Sequence, residues 1–438
     1  MPRFDDIYAP DFKEKPYWWE VGEPETNMDP LPTRADVVVI GSGYAGLNAA
    51  THLARAGRDV VVIDGDRIGE GGSTRSGGMV SSGQKLVVGG ALTGVDPELM
   101  SRLIGESNES FEYLRTLINT EGLDAGLSIT GRFFGAHSSA NFETLKHHGA
   151  LLAEKTGVKV HFLDRDHQRE AIGSDYYHGG MVVDDYGGLH PGMYHKALRE
   201  RAKAAGVALR SHARAGVVRE LDNGEKMVPT ARGEIRTPHV ITATNGYTGA
   251  DATPSVARRV VPVKSYQIAT EPLSADLLAE LIPNARMVSD TRRDLIYTRP
   301  SPDGTRLLFG SRPGAFDMSD KAAAKRLYAR MITIWPQLRG TKITHAWSGK
   351  VAMTVDKIAH LGDRDQTSFA VGCNGNGVAL MTYLGYQTAR KILGEQNQPS
   401  AFDRDKFMPV PFYNGKPWFV PVVAGWYRLR DFLERSRG

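Results

Sequence analysis

The segment Asp36–Gly46, DVVVIGSGYAG, constrains this 438-residue chain more than any other. Val37 to Ile40 form an apolar, β-branched run with no polar break, the pattern of a parallel strand buried on both faces. Gly41 permits a tight turn, Gly43 lets the backbone approach a pyrophosphate, and Gly46 lets the next helix pack closely on the strand. Ala45 to Ala56 read as that helix, whose N-terminal amides and dipole face the phosphates. A second strand, Asp59 to Ile63, delivers Asp64 eighteen residues after Gly46, where a carboxylate can accept hydrogen bonds from a ribose. A lone glycine fingerprint is weak. Strand, turn, helix, strand and acid in this order specify a dinucleotide site.

The length exceeds one ordinary core, so at least two domains are expected. With 48 glycines, the chain has many loops able to approach a ligand closely. A net charge of +4 is small for this size and does not call for nucleic acid. The single cysteine, Cys373, excludes an internal disulfide and fits a reducing compartment. No apolar stretch reaches about 18 residues, and Met1 to Pro32 lack a signal-peptide core. The expected location is the cytoplasm, without a transmembrane segment. The histidines show no metal-ligand spacing, and no metal is expected. The ending Trp426–Arg437 reads as a basic amphipathic helix, which either docks on its own protein or makes peripheral membrane contact.

Periodicity places further helices at Pro97–Asn119 (Asp96 as N-cap), Ser138–Lys155, Pro191–Ala205, Lys321–Trp335 and Asn376–Leu393. Strands are expected at Arg132–Phe134, Val207–Arg210, Gly216–Leu221 and Ser368–Gly372, and Pro238–Tyr247 reads as a buried strand running into a turn. From Arg259 the pattern turns antiparallel, with Val261–Ala269, Asp294–Arg299 and Arg306–Phe309 separated by turns such as Pro302-Asp-Gly304. The expected class is α/β, with a doubly wound dinucleotide domain and an interleaved, antiparallel β-rich substrate domain. Residues 33–92, 186–258 and 345–400 would form the first, and 93–185 with 259–344 the second. An extension (1–32) and a tail (401–438) complete the chain.

A nicotinamide enzyme needs a catalytic acid or base in a compact second domain, whereas a flavin demands more backbone around its larger ring. Here Gly69–Gly78, GEGGSTRSGG, follows the ribose acid almost at once and can lie along pyrophosphate and flavin. At the other end Phe369–Gly377, FAVGCNGNG, is a second strand, glycine loop and helix start. That helix N-terminus would stabilise negative charge building on a reduced flavin. The alternative is a plain strand–helix turn, but the pair of glycine loops on one chain favours the flavin.

These residues resemble the D-amino-acid oxidase-like family of FAD-dependent amine oxidoreductases over nearly the whole chain. The pieces are Val38–Gly46, Asp66–Gly78, Gly188-Leu-His-Pro191, Thr242–Tyr247, Trp347-Ser-Gly349, Thr354-Val-Asp356 and Gly372–Gly377. Pro16-Tyr-Trp-Trp19, Val261–Leu273 and Pro417–Pro421 are most similar to its gamma-glutamylputrescine oxidase branch. The resemblance implies a Rossmann-type FAD domain and FAD contacts at Gly41, Gly43, Tyr44, Ala45, Gly46, Asp64 and Gly65. It adds Gly72, Ser73, Arg75, Ser76, Gly77 and Gly78 in the next loop, then Val217, Thr244, Asn245, Gly246 and Gly349. Gly375, Asn376, Gly377 and Val378 close the set. It also implies oxidation of a small amine or N-substituted amino acid. A neutral amine gives hydride from its α-carbon to flavin N5, the imine hydrolyses, and oxygen takes the electrons to give hydrogen peroxide.

Relatives that attach flavin covalently use a cysteine at the position aligned with Gly349, or a histidine in the Ser73–Gly78 loop. This chain has neither, so non-covalent FAD is expected. A lysine that activates oxygen in one relative, monomeric sarcosine oxidase, aligns with Leu308. Either Lys264 or Lys350 substitutes, or the enzyme is a dehydrogenase passing electrons to a quinone or carrier protein. A non-catalytic flavin-binding subunit is a further alternative. In the substrate pocket, the resemblance makes Tyr297, on a strand before a proline and a turn, a candidate carboxylate-binding phenol, against a cross-strand aromatic. Arg299, two residues on, either clamps an acidic substrate or is solvated. Lys350 is functional if buried at the flavin edge and ordinary if exposed or ion-paired. His360 is either catalytic or packed.

Overall fold

The computed structural model describes residues 6–83, 86–87, 95–314, 316–404, 406–415 and 417–435. The expected boundary between residues 92 and 93 lies outside them, as do the last three residues of the tail.

Val37–Ile40 and Val60–Ile63 are strands in which every residue is buried. Neither alternates, because both faces are covered, and they sit inside a six-stranded sheet. Its order is His360–Arg364, Thr367–Val371, His239–Thr242, Val37–Ile40, Val60–Ile63 and Ala208–Arg210, parallel except for the first pair. Helix Tyr44–Arg55 follows the fingerprint, and the last long helix, Gly377–Leu393, packs against it. Two glycines set these approaches. A Cβ on Gly46 would lie 1.9 Å from the Gly41 carbonyl oxygen, and one on Gly385 2.2 Å from that of Ala45.

The second large sheet has nine strands. Tyr8–Lys13 forms one edge beside Ile343–Met353, followed by Val261–Thr270, Leu307–Ser311, Tyr297–Pro300, Met287–Asp290, Arg132–Gly135, Gly180–Val183 and Val160–Leu163. It is mostly antiparallel, but Tyr8–Lys13 with Ile343–Met353 and Arg132–Gly135 with Met287–Asp290 run parallel. The α/β class therefore holds, with a mixed rather than purely antiparallel second sheet. Residue 345 falls inside strand Ile343–Met353, which belongs to this sheet along its length. The strand expected at Gly216–Leu221 shrinks to Arg219–Glu220 in a small three-stranded sheet. Helix caps follow the sequence closely. Asp96 accepts from the amides of Glu98 and Leu99 at 3.0 and 3.2 Å, and Ser138 from that of Asn141.

The far end of Ile343–Met353 touches the first sheet. Ala352 accepts a hydrogen bond from the Asn374 amide at 2.9 Å. A Cβ on Gly246 would lie 2.6 Å from the Lys350 carbonyl oxygen. The strand thus runs from the core of one sheet to the glycine loops of the other, and the seam between the sheets opens into a cleft.

Candidate active site

The cleft has a volume of about 660 Å³. At one end lies the fingerprint. Gly41 has φ +106°, a conformation open to glycine, and a Cβ there would press on the Ala243 carbonyl at 2.9 Å. Helix Tyr44–Arg55 starts at Gly43 with no side-chain cap of its own. The Tyr44 amide turns to Ser73 Oγ at 3.1 Å, bringing the Gly69–Gly78 loop over the helix start. Asp64 accepts from the Ser42 amide at 2.9 Å, Ser42 Oγ at 2.5 Å and the Asp66 amide at 3.1 Å. Burial raises its carboxyl pKa. A carboxylate has about four acceptor sites, so one stays available to a ribose hydroxyl.

At the other end Gly375 has φ +86°. Asn245 Oδ1 accepts from the amides of Gly372 and Cys373 at 3.0 and 3.3 Å, joining two of the loops. Helix Gly377–Leu393 also begins without a side-chain cap. Two helix N-termini without a capping side chain on their N-cap residue therefore line one cleft, each a ready position for negative charge.

Between them runs the Gly69–Gly78 loop, fixed by donors from distant segments. Trp18 Nε1 donates to the Ser76 carbonyl at 2.8 Å and Trp19 Nε1 to Thr74 Oγ1 at 2.9 Å. Trp347 Nε1 and Gln267 Nε2 both donate to the Arg75 carbonyl, at 3.0 and 2.8 Å. The Arg75 guanidinium closes the staple onto Ser348 O at 3.1 Å.

Of the residues singled out from sequence, Gly41, Gly43, Tyr44, Ala45, Asp64 and Gly65 line the cleft. So do Gly72, Ser73, Arg75, Ser76, Gly77 and Gly78, and likewise Thr244, Asn245, Gly246 and Gly349. Gly375, Asn376, Gly377 and Val378 line it, as do Tyr297, Lys264 and Lys350. Gly46 does not line it and acts through helix packing. Val217 is half exposed and outside the cleft; Arg214 and Ala215, just before it in the chain, line the cleft instead. Arg299 is buried away from the cleft. It donates to the Leu189 carbonyl at 2.8 Å, since that stretch of sheet face is roofed by Gly188, Leu189 and Trp18. Arg299 is therefore neither a clamp nor solvated. His360 is fully buried outside the cleft, bonded to Asp356 at 3.1 Å and stacked on Phe407 at 4.0 Å. Leu308 is buried beside Trp18 and Trp347 and does not reach the cleft.

Tyr297 stands against Gly77, with its hydroxyl 3.0 Å from Ser265 Oγ. Burial pushes its phenol up to about 12. Lys350 is exposed at the rim, over the Tyr247 ring at 5.3 Å. Lys264 is its register partner on the neighbouring strand. Sequence reasoning missed two arginines in this wall. Arg132 donates to Ser289 Oγ at 3.1 and 3.0 Å, and burial lowers its pKa to about 10. Arg312, lowered in the same direction by burial, follows strand Leu307–Ser311. Arg132 carried a signal, as a charged residue opening an otherwise apolar strand; Arg312 carried none.

A glycine-lined cleft with a buried acid at one end, two helix N-termini and a second sheet as its far wall is the arrangement of a dinucleotide-dependent oxidoreductase of the flavin type. The chain belongs to the DAO family, described as FAD dependent oxidoreductase, which matches residues 36–391. It is 31% identical to Gamma-glutamylputrescine oxidoreductase of Escherichia coli, over 91% of this chain and 93% of that protein. It is 32% identical to "Probable oxidoreductase OrdL" of Haemophilus influenzae, over 95% and 96%. The solved structure of glycine oxidase from Geobacillus kaustophilus superposes with a TM-score of 0.68 at 21% identity, covering 87% of this chain and 100% of that one. The cofactor is FAD, and the protein is an oxidoreductase of this class.

Proposed function

We propose that the protein oxidises the C–N bond of an amine that also bears a carboxylate, using non-covalent FAD and oxygen as the electron acceptor. The observation that supports the substrate class is the sign of the cleft wall. Among its described lining residues, those from the nine-stranded sheet and its loops include Arg132, Lys264, Arg312 and Lys350 and no carboxylate. The acidic lining residues, Asp64, Asp66, Glu70 and Asp251, all come from the dinucleotide side. Lys264 and Lys350 are register partners on neighbouring antiparallel strands, Lys264 Nζ donating to the Met318 carbonyl at 3.3 Å and Lys350 lying over the Tyr247 ring at 5.3 Å. A guanidinium such as that of Arg312 suits a carboxylate in particular, because its planar fork can bind both oxygens. The names of the relatives agree, since gamma-glutamylputrescine and glycine each combine an amine with a carboxylate.

Bound FAD would supply a two-electron acceptor for the C–H bond beside the amine nitrogen. The chain's own residues position and select. Tyr297, still protonated at neutral pH, donates to the substrate carboxylate while Ser265 fixes the direction of its hydroxyl. The cationic wall disfavours an ammonium ion, so the amine binds neutral and gives its proton to water without a dedicated base. The buried Arg132 and the loop stapled by Trp18 and Trp347 keep the wall rigid. Lys350, exposed at the rim, takes the ordinary reading, and Lys264 supplies the positive charge that favours electron transfer to oxygen, since Leu308 offers none.

Anaerobic bleaching of the flavin against polyamines, γ-glutamylated amines, N-alkyl glycines and opine-type amino acids tests this reading. Carboxylate-bearing members are expected to bleach it fastest, and preference for a plain polyamine would refute the substrate class. Protein that stays colourless after FAD is added would overturn the whole reading. Acid precipitation is expected to leave all the flavin in the supernatant. Leu308 supports a second reading, a dehydrogenase. Reduced enzyme that reoxidises with a quinone analogue and not with air would establish it.

A further inference from the structure

Helix Val420–Arg435 is mounted with its polar stripe inward. Asp431 is buried, accepts from the amides of Arg293 and Asp294 at 3.1 and 3.2 Å, and is ion-paired with the Arg293 guanidinium at 2.9 Å. One turn on, Glu434 holds the same guanidinium at 2.7 Å. Arg428 reaches Asp294 at 3.2 Å and the Arg312 carbonyl at 3.1 Å. His137 lies beside these carboxylates, with ligand-type atoms of all three residues within 4.8 Å. Arg293 already occupies both carboxylates, so the cluster is a docking anchor and not a metal centre.

The apolar residues face outward. Val422 is 71% exposed, Trp426 57% and Phe432 70%, and Leu429 is exposed on the same side. A helix that only completes a fold does the opposite and buries its apolar stripe. Apolar faces of this kind on soluble chains mark a partner.

The charges select the partner. Both carboxylates of the helix are turned inward against Arg293. Arg430 is exposed at the edge of the apolar face, and the one helix carboxylate near it, Glu434 at 3.5 Å, is already held by Arg293. In sequence the helix is bracketed by Lys416 at one end and by Arg435 and Arg437 at the other. Indole rings on an apolar face edged by cations suit the headgroup boundary of an anionic bilayer. Among the described residues no helix is long and apolar enough to cross a membrane, so this one can lie only along its surface.

We propose that helix Val420–Arg435 is an interfacial anchor that holds the enzyme on an anionic bilayer surface, independently of which amine it oxidises. The test is flotation of the FAD-loaded full chain with vesicles of phosphatidylcholine alone or mixed with phosphatidylglycerol. Binding is expected with the mixed vesicles and weaker with phosphatidylcholine alone. The double variant Trp426→Ser, Phe432→Ser is expected to lose binding by roughly tenfold or more, with flavin content and melting temperature unchanged. Arg430→Glu should weaken binding only to the anionic vesicles. Absence of vesicle binding by the unaltered chain, or binding that survives the double variant, would overturn the proposal. So would a dimer in sedimentation velocity that the double variant dissolves while vesicles bind neither form.

Discussion

Tyr297 can stand in the cleft because two of its neighbours have no side chain. A Cβ on Gly310 would come within 2.3 Å of its ring, and one on Gly77 within 3.2 Å. Tyr297→Phe keeps the ring and removes one hydrogen bond to a charged ligand. Amine binding, read by anaerobic titration of the flavin, is expected to weaken about tenfold with FAD retained. Arg312→Ala should separate substrates. We expect a loss of about a hundredfold for carboxylate-bearing amines and little change for amines lacking the acid, and equal losses for both would remove Arg312 from substrate binding. Tyr297 lines the cleft and was singled out by the family resemblance. Arg312 was not, because it belongs to no pattern and gains its position from distant packing. Arg299 misled for a related reason. Strand alternation places it on the same face as Tyr297, but nothing local reveals that Gly188 and Leu189 cover that part of the face.

At the scale of elements, the fingerprint was readable because strand, turn and helix are specified by neighbours in sequence. The fastening of the Gly69–Gly78 loop was not, since side-chain donors to it come from as far away as residues 18, 19, 267 and 347. Trp18→Phe preserves most of the packing and frees the Ser76 carbonyl. FAD affinity, measured by titrating the apoprotein, is expected to fall by roughly fivefold to tenfold. The C-terminal helix was legible as amphipathic, but which stripe faces the protein depends on Arg293 and Asp294. Asp431→Asn leaves Arg293 with a single ion-pair partner in a partly buried site. A loss of about 3 kcal/mol in local docking is expected, read as faster proteolytic release of the helix while the flavin spectrum persists.

For the molecule as a whole, two buried histidines couple folding to pH. Burial brings both His190 and His195 down from the usual 6.5 to about 4. His190 Nδ1 accepts from the Met193 amide at 3.1 Å, and His195 Nε2 donates to the Ser42 carbonyl at 2.8 Å. Between these values the unfolded chain binds more protons than the folded one. The stabilisation is full above about pH 6.5 and is lost as pH falls towards 4, by about 3 kcal/mol for each histidine. The urea midpoint is therefore expected to drop steeply between pH 6.5 and 4, and His195→Asn should flatten that slope. The seam between the sheets has another consequence, for the order in which a ribosome delivers the parts. The dinucleotide fingerprint emerges early, yet Arg75 meets Trp347 across 272 residues of chain. Strand Thr367–Val371, which flanks His239–Thr242, comes later still. A nascent chain carries an unfinished cofactor cradle for most of its synthesis, so one stalled before residue 343 should be unable to retain flavin.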